Sequence, residues 1–338
     1  MPYNDYVQRG TTPTQTTTAN GAQPLLPDDM QKEIIKNAVE LSAAGRFMKK
    51  RRMARGVQRM PVLDQKPTAS FITGDTGLKP TTTMAWRNVY LNAEEIACIV
   101  PIPINVINDI DYDLWGEIRP EIEEAIGVAL DMAIFFGTGA PASWPTAIVP
   151  AAIAASNTVT QGTGVDVAAD TNNVLAAVEA DGFFPDGFVM RQDLRAAFRG
   201  LRTTTNEFVF KDGEVGVEGT MFGRTPGARE GTLFGLPARS LLNGTFETYD
   251  AATANAGKLI AADWSQFILG VREELEMKIF DSGVIQDTTG AITFNLLQQD
   301  MVAARFVARF AWACPNPLNR TNTNSTTRYP AAVLRDAA

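Results

Sequence analysis

Leu114, Ile118, Ile122, Ile126, Leu130 and Ile134 fall at every fourth position. On a helix that spacing makes one slowly winding apolar stripe. The segment DLWGEIRPEIEEAIGVALDMAIFFGTG is therefore predicted to be a long helix, with Gly137 and Gly139 as C-cap residues. Pro120 should kink the helix or mark its first turn. From Pro120 to Phe136 it would be about 25 Å long at about 1.5 Å per residue. Its second half is apolar nearly all round, so other elements must bury it.

The chain before this helix is different in kind. Residues 1–27 are rich in Thr, Gln, Asn, Gly and Pro without periodicity, which predicts extended or mobile chain until something pins it. Asp28 and Asp29 then precede Ile34, Ile35, Ala38, Val39 and Leu41 at helical spacing, with the two acids where the helix dipole favours them. Next come Arg46, Lys49, Lys50, Arg51, Arg52, Arg55 and Arg59, seven basic residues with no acid among them. Such a run fits contact with an acidic partner subunit, a solvated face, or nucleic acid, and no groove-reading motif accompanies it. Residues 61–95 read as a long hairpin. Pro61-Val62-Leu63 enters it and Trp86 to Leu91 leaves it, with Gly-, Pro- and Thr-rich chain from Thr73 to Thr83 between. A projecting hairpin with so little core of its own needs another surface to hold it.

Val100 to Ile107 reads as a strand and a turn. Beyond the long helix, 145–290 alternates short patterns: helices at Asn173–Ala180 and Asp193–Leu201, strands at Gly187–Met190, Lys258–Ala262 and Phe267–Arg272. Arg202 to Gly235 reads as a long loop of the sort that carries contacts. Val302, Ala304, Phe306, Ala308, Phe310 and Trp312 then alternate with Ala303, Arg305, Val307, Arg309 and Ala311. Period two predicts a strand with one buried face and two arginines on the other. Pro315 and Pro317 end it, and 319–338 reads as a polar tail.

Composition narrows the function. The chain of 338 residues has no histidine, which removes the commonest general base and metal ligand. Ser-His-Asp, Cys-His and histidine-based zinc sites are excluded, and an enzyme is disfavoured. Cys98 and Cys314 lie far apart in no metal-like spacing, so a disulfide is not expected and a reduced compartment fits. The longest apolar run, Ile126 to Phe136, is interrupted by Asp131 and falls short of the roughly 20 residues of a membrane span. The polar N-terminus carries no secretory signal. Net charge is −8 and unevenly placed: residues 1–60 carry +5 and the remainder −13. A basic arm on an acidic body suggests an arm that lies on acidic neighbours or touches nucleic acid.

No catalytic or ligand motif is intact. Asn108 to Asp113 opens like a calcium loop, but Leu114 and Pro120 stand where Gly and Glu are needed. Gly137-Thr138-Gly139 and Gly162-Thr163-Gly164 are fragments of a phosphate loop without its spacing. Glu121, Glu123 and Glu124 read as a solvated or intersubunit helix face. No cofactor or metal is expected.

The order of these elements resembles the major capsid proteins of tailed phages, with their Hong Kong 97-like fold. The stretches that carry the likeness are EIIKNAVELSAAGRFMKKRRMARG, ASFITGDTGLKPTTTMAWRNVYL, INDIDYDLWGEIRPEIEEAIGVALDMAIFFGTG, TLFGLPARS, ADWSQFILGVREELEMKIF and QQDMVAARFVARFAWACPNPLN. One departure is Ser143-Trp144-Pro145-Thr146-Ala147-Ile148, where the family's Pro-x-Gly-Ile lacks its Gly. The resemblance implies an α+β fold with an N-terminal arm (1–60), an E-loop hairpin (61–95), a P-domain with its spine helix (96–144), an A-domain (145–290), a P-domain return strand (291–320) and a C-terminal tail (321–338). TLFGLPARS would be an A-domain turn and ADWSQFILGVREELEMKIF the A-domain strand after it.

The same resemblance implies self-assembly into pentamers and hexamers of an icosahedral shell around double-stranded DNA, held without sequence-specific contacts and with no membrane involved. Assembly would take place in the host cytoplasm. Portal, decoration and scaffolding proteins are possible partners, the last separate because only about 60 residues precede the E-loop. Intersubunit contacts would come from the seven basic residues of the arm, from Phe71, Asp75, Leu78, Lys79 and Trp86 of the E-loop, and from Glu117, Glu121 and Glu124 of the spine helix. A Lys–Asn isopeptide crosslink, known in one relative, would use Lys79 (or Lys66) with Asn316 or Asn319. Its assisting Glu would have to come from earlier in the chain than these asparagines, since no Glu follows Glu276. The alternatives are an encapsulin-like cellular compartment and a nucleic-acid-binding protein using residues 46–59.

Overall fold

A computed structural model describes residues 42–72, 77–109, 114–201, 230–241, 244–246, 257–287 and 289–336. The expected helix at 34–41, Asp75, most of the candidate calcium loop and most of the 202–235 loop lie outside the described residues.

The chain enters through a short helix, α1 (Ala43–Phe47), and a four-stranded sheet follows. In spatial order that sheet is β1 (Lys49–Arg52), β10 (Ile268–Phe280), β13 (Met301–Ala313) and β4 (Glu94–Pro103). β1 runs parallel to β10, and the other pairs are antiparallel. β13 keeps the expected period through its middle only, since Ala303 and Ala311 on the face expected to be open are buried and Val302 and Phe310 are half-buried. Ala304, Phe306 and Ala308 are buried, whereas Arg305, Val307 and Arg309 on the opposite face are half-buried. The buried face is covered by α3 (Leu114–Phe135), whose Ile122 and Ile126 meet Ala304 and Phe306. Further along the same stripe, Leu130 and Ile134 enter the main core beside Trp264 and Trp312.

Pro120 lies inside α3, and the helix already runs from Leu114. Pro120 therefore does not mark its first turn. At 22 residues the helix is longer than expected, roughly 33 Å at about 1.5 Å per residue. The strand before it is also longer than expected, and the residues that follow form the helix α2 (Ile104–Asp109) where a turn is predicted.

The second sheet has six strands, in the order β5 (Thr158–Thr160), β14 (Ala331–Arg335), β9 (Leu259–Ala262), β6 (Gly187–Arg191), β8 (Leu236–Leu241) and β7 (Glu230–Leu233). Phe188, Met190, Leu259, Ala261, Ala332 and Leu334 point to one face, under Val174 and Val178 of α5 (Val167–Ala180) and Leu194 and Phe198 of α6 (Asp193–Arg199). Val189, Ile260, Ala262, Ala331 and Val333 point to the other. There Ile148, Val149 and Ala152 of α4 (Ile148–Ala154) join Ile134, Phe135 and Trp264. A sheet buried on both faces explains why FVM, LIAA and AAVL are continuous apolar runs without alternation.

Three expectations are corrected. First, 321–338 is not a tail, because Ala331–Arg335 is β14, paired between β5 and β9. Second, β10 is not a strand of the six-stranded sheet. It runs on to Phe280 and pairs along its length with β13, so a boundary at 290 cuts through a sheet. Its second half escapes a hydrophobic reading because Glu273, Glu276 and Lys278 lie opposite Arg309, Val307 and Arg305 on the charged face. Third, an arm of residues 1–60 is too long: from Ser42 the chain is part of the fold, and the basic run supplies an edge strand.

Candidate assembly surfaces

β2 (Val57–Gln65) and β3 (Ala85–Asn92) form the hairpin expected from residues 61–95, in the register Val57↔Asn92 to Gln65↔Ala85. Its root is well held. Met60 and Leu91 pack with Met53, Ala311 and Ala313. Arg87 donates from Nη2 to the carbonyls of Pro315 (2.6 Å) and Asn316 (3.1 Å), while its Nε faces Asp64 at 3.3 Å. The Leu318 amide donates to the Leu63 carbonyl, and Arg320 donates to that of Pro67. Beyond Gln65 and before Ala85 the described chain has no ladder. Phe71 is 106% and Leu78 95% exposed, and Ile72, Met84, Trp86 and Tyr90 are exposed as well. Lys79 is also exposed.

The segment 315–330 that holds the hairpin root is itself fixed by buried polar groups. Arg328, 2% exposed, donates to the Asn316 side-chain oxygen (3.1 Å) and to the carbonyls of Asn322 and Asn316. Asp181, buried at the end of α5, accepts from the side chains of Asn157 and Asn322 and from the Tyr329 amide, each at 2.7–2.8 Å. Each buried polar group thereby regains partners in place of water. Asn316, the crosslink candidate, spends its carboxamide here: Oδ1 accepts from Arg328 and Nδ2 donates to the Arg328 carbonyl at 2.7 Å. Asn319 likewise donates to the Asp181 carbonyl at 2.6 Å.

All seven basic residues from Arg46 to Arg59 are exposed. β1 holds four of them side by side on the sheet edge, where Arg52 pairs with Glu274 of β10 at 3.0 Å. Of the helix acids, Glu121 is exposed and Glu124 half-buried, and between them Glu123 pairs with Arg119 at 2.9 Å. The helix acids and the basic strand sit on different elements, but Arg46 and Lys50 line one groove with Glu123.

The weaker ligand motifs dissolve. Gly162 and Gly164 direct their amides at the Asp170 carboxylate, at 2.7 and 2.6 Å, so an internal side chain takes the place that a phosphate would need. A side chain at Gly164 would press on Ala169 and Asp170, which accounts for that glycine. Among the described residues no three His, Cys, Asp or Glu gather as a metal would require, and no helix is long and apolar enough to cross a membrane. Both cysteines are free. Burial pushes the Cys314 thiol up to about 12, far from the thiolate that a nucleophile needs. One buried carboxylate, Asp131, stands out. It meets the start of α1, and nothing in the sequence pattern marks it except its interruption of an apolar run.

Among curated proteins, none matches this sequence. The model of the Phage capsid family matches residues 22–317. A solved structure from Microbacterium phage Oxtober96 is 35% identical, with a TM-score of 0.79 over 94% of this chain and 98% of that one. One from Mycobacterium phage Cain is 26% identical, with a TM-score of 0.77 over 94% and 97%. The capsid of a native GTA particle, 16% identical with a TM-score of 0.63 over 94% and 99%, shares the fold. With a sheet under a long helix, a root-anchored hairpin and a second, doubly covered sheet, the chain belongs to the phage capsid family and is a major capsid protein of Hong Kong 97-like fold.

Proposed function

We propose that copies of this chain form pentamers and hexamers of an icosahedral shell around double-stranded DNA, with the β2–β3 hairpin tip as the element that reaches a neighbouring copy. The observation that carries this is the contrast within one hairpin: a root fixed by Arg87 and Arg320, and a tip whose Phe71 and Leu78 are almost wholly exposed. Apolar side chains held out on a rigid base are favourable only when another surface removes them from water. Asp75 lies between them and Lys79 directly after Leu78 in sequence, and Trp86 extends the apolar set along β3. The basic strand and Arg46, Arg55 and Arg59 lie on the acidic surface of an adjacent copy. Glu117, Glu121 and Glu124 serve as intersubunit acids. Many modest contacts of this kind add up through the lattice.

An acidic body suits a container that must not grip its DNA. Assembly takes place in the host cytoplasm, with scaffolding, portal and decoration proteins as possible partners. The internal use of Asn316 and Asn319 supports a shell without a crosslink to Lys79 or Lys66, so boiled shells run at monomer mass in SDS. Deleting residues 68–84 tests the reading. The expected product is a soluble, folded subunit that forms no shells in electron micrographs, and normal particles would refute the hairpin assignment.

A further inference from the structure

Between β13 and β14 the chain crosses from the hairpin root to the end of α5. From Pro315 to Asn322 it forms neither helix nor strand, and its contacts divide between two sides. On the hairpin side, Arg87 donates to the Pro315 and Asn316 carbonyls, the Leu318 amide donates to the Leu63 carbonyl at 3.3 Å, and Arg320 donates to the Pro67 carbonyl at 3.0 Å. On the other side, Asn319 donates to the Asp181 carbonyl at 2.6 Å and Asn322 donates to Asp181 Oδ1 at 2.7 Å. Thr321 lies against Gly182, where a Cβ would meet the Thr321 Cβ at 2.8 Å. The φ of Gly182 is +78°, so a side chain there would strain the backbone as well.

Asp181 divides its carboxylate between the strap and the body. Oδ1 takes Asn322 of the strap, whereas Oδ2 accepts Asn157 Nδ2 at 2.7 Å and the Tyr329 amide at 2.8 Å. Asn157 leads into β5 and Tyr329 into β14, so Oδ2 is tied to the six-stranded sheet. We infer that Asp181 and Gly182 are positioning residues for the hairpin: through the Pro315–Asn322 strap, the end of α5 sets where the hairpin points.

The four-stranded sheet holds the root by a different route, with Met60 and Leu91 packed on Met53, Ala311 and Ala313. The strap attaches at Leu63 and Pro67, further along β2 toward the tip than Met60. It therefore governs the angle of the hairpin more than the seat of its base. The role bears on assembly only through the hairpin reading proposed above. Hairpin, strap and body are linked in series, and a series link is lost when either end is cut. Cutting both ends then costs little more than cutting one, whereas independent supports add in free energy and multiply in exchange rates.

Hydrogen exchange in the full-length, unassembled subunit tests the strap. Asn322→Ala should lower protection in β2 and β3 by at least about 5-fold, while β6 and β9 stay within about 2-fold of the natural chain. No loss in the hairpin, or an equal loss in β6 and β9, would overturn the inference. Combined with Arg87→Ala, which cuts the other end, the loss should fall short of the product of the two single losses by at least about 3-fold. A full product would mean two independent supports and no strap. Met60→Ala, on the other route, should give the full product with Asn322→Ala, and a like shortfall there would count against the strap. Should Asn322→Ala fold poorly, Gly182→Ala is the second variant. It pushes Thr321 away and leaves the Asp181 carboxylate in place, and the same local loss and the same shortfall with Arg87→Ala are required of it. All of these measurements are made without shells, so the strap can fail while the role of the hairpin in assembly stands.

Discussion

The hairpin and the six-stranded sheet solve opposite problems. In the sheet every apolar face is covered within the chain: Phe188, Val189, Ile260 and Val333 are fully buried between α4, α5 and α6. In the hairpin only the root is covered, and the tip carries Phe71 and Leu78 in the open. One region is stabilised by its own chain and the other requires a neighbour. Substitutions should therefore separate cleanly into those that unfold the subunit and those that spare it but prevent assembly.

The largest expected effect is truncation before Ala331. It removes a strand from inside the sheet, exposes the β5 and β9 edges and empties both cores. The loss should exceed about 5 kcal/mol, enough to unfold a typical domain. Insoluble protein, or loss of the cooperative melt, is the expected result, and a cooperative melt near that of the full chain would break the contrast. Phe188→Ala in the same sheet should cost about 3–5 kcal/mol in chemical denaturation. The paired change Phe71→Ser and Leu78→Ser should leave the subunit's melting temperature within a degree or two. It should nevertheless raise the concentration needed for shells at least 10-fold, measured by light scattering.

Arg87→Ala tests the join between the two regimes. It removes the donor to the Pro315 carbonyl and one of the two donors to the Asn316 carbonyl, and should cost about 1–2 kcal/mol, with hydrogen exchange rising in β2 and β3 before anywhere else. The smallest effect belongs to Arg52→Ala. Its pair with Glu274 is almost fully solvated, with side-chain exposures of 88% and 75%, so subunit stability should change by less than about 0.5 kcal/mol. A salt-dependent weakening of assembly without loss of stability would place the basic strand at an interface.

The elements that the sequence announced are those with a strong period. The stripe from Leu114 to Ile134 and the alternation from Val302 to Trp312 were readable because each repeats apolar residues at the period of its element, and through Ile122, Ile126, Ala304 and Phe306 they pack against each other. The hairpin was readable from its turn-rich middle. β1 was not, because its four side chains are all exposed and an edge strand without a buried face has no period. β14 was missed because AAVLR is a short run behind a polar stretch, and its burial depends on strands 70 and more residues away.

The sequence alone therefore determined the long helix, the central strand, the projecting hairpin and the absence of histidine chemistry, since all of these follow from local periodicity or composition. Tertiary structure alone decided that β10 joins β13, that the C-terminal strand completes a sheet, and that Gly127 and Asp131 grip Ser42. Asp181 and Arg328 likewise became a buried anchor for the hairpin root only on folding. Partners brought together across 80 or 140 residues leave no local pattern, because a hydrogen bond or a close backbone approach depends on where the chain returns, not on what precedes it.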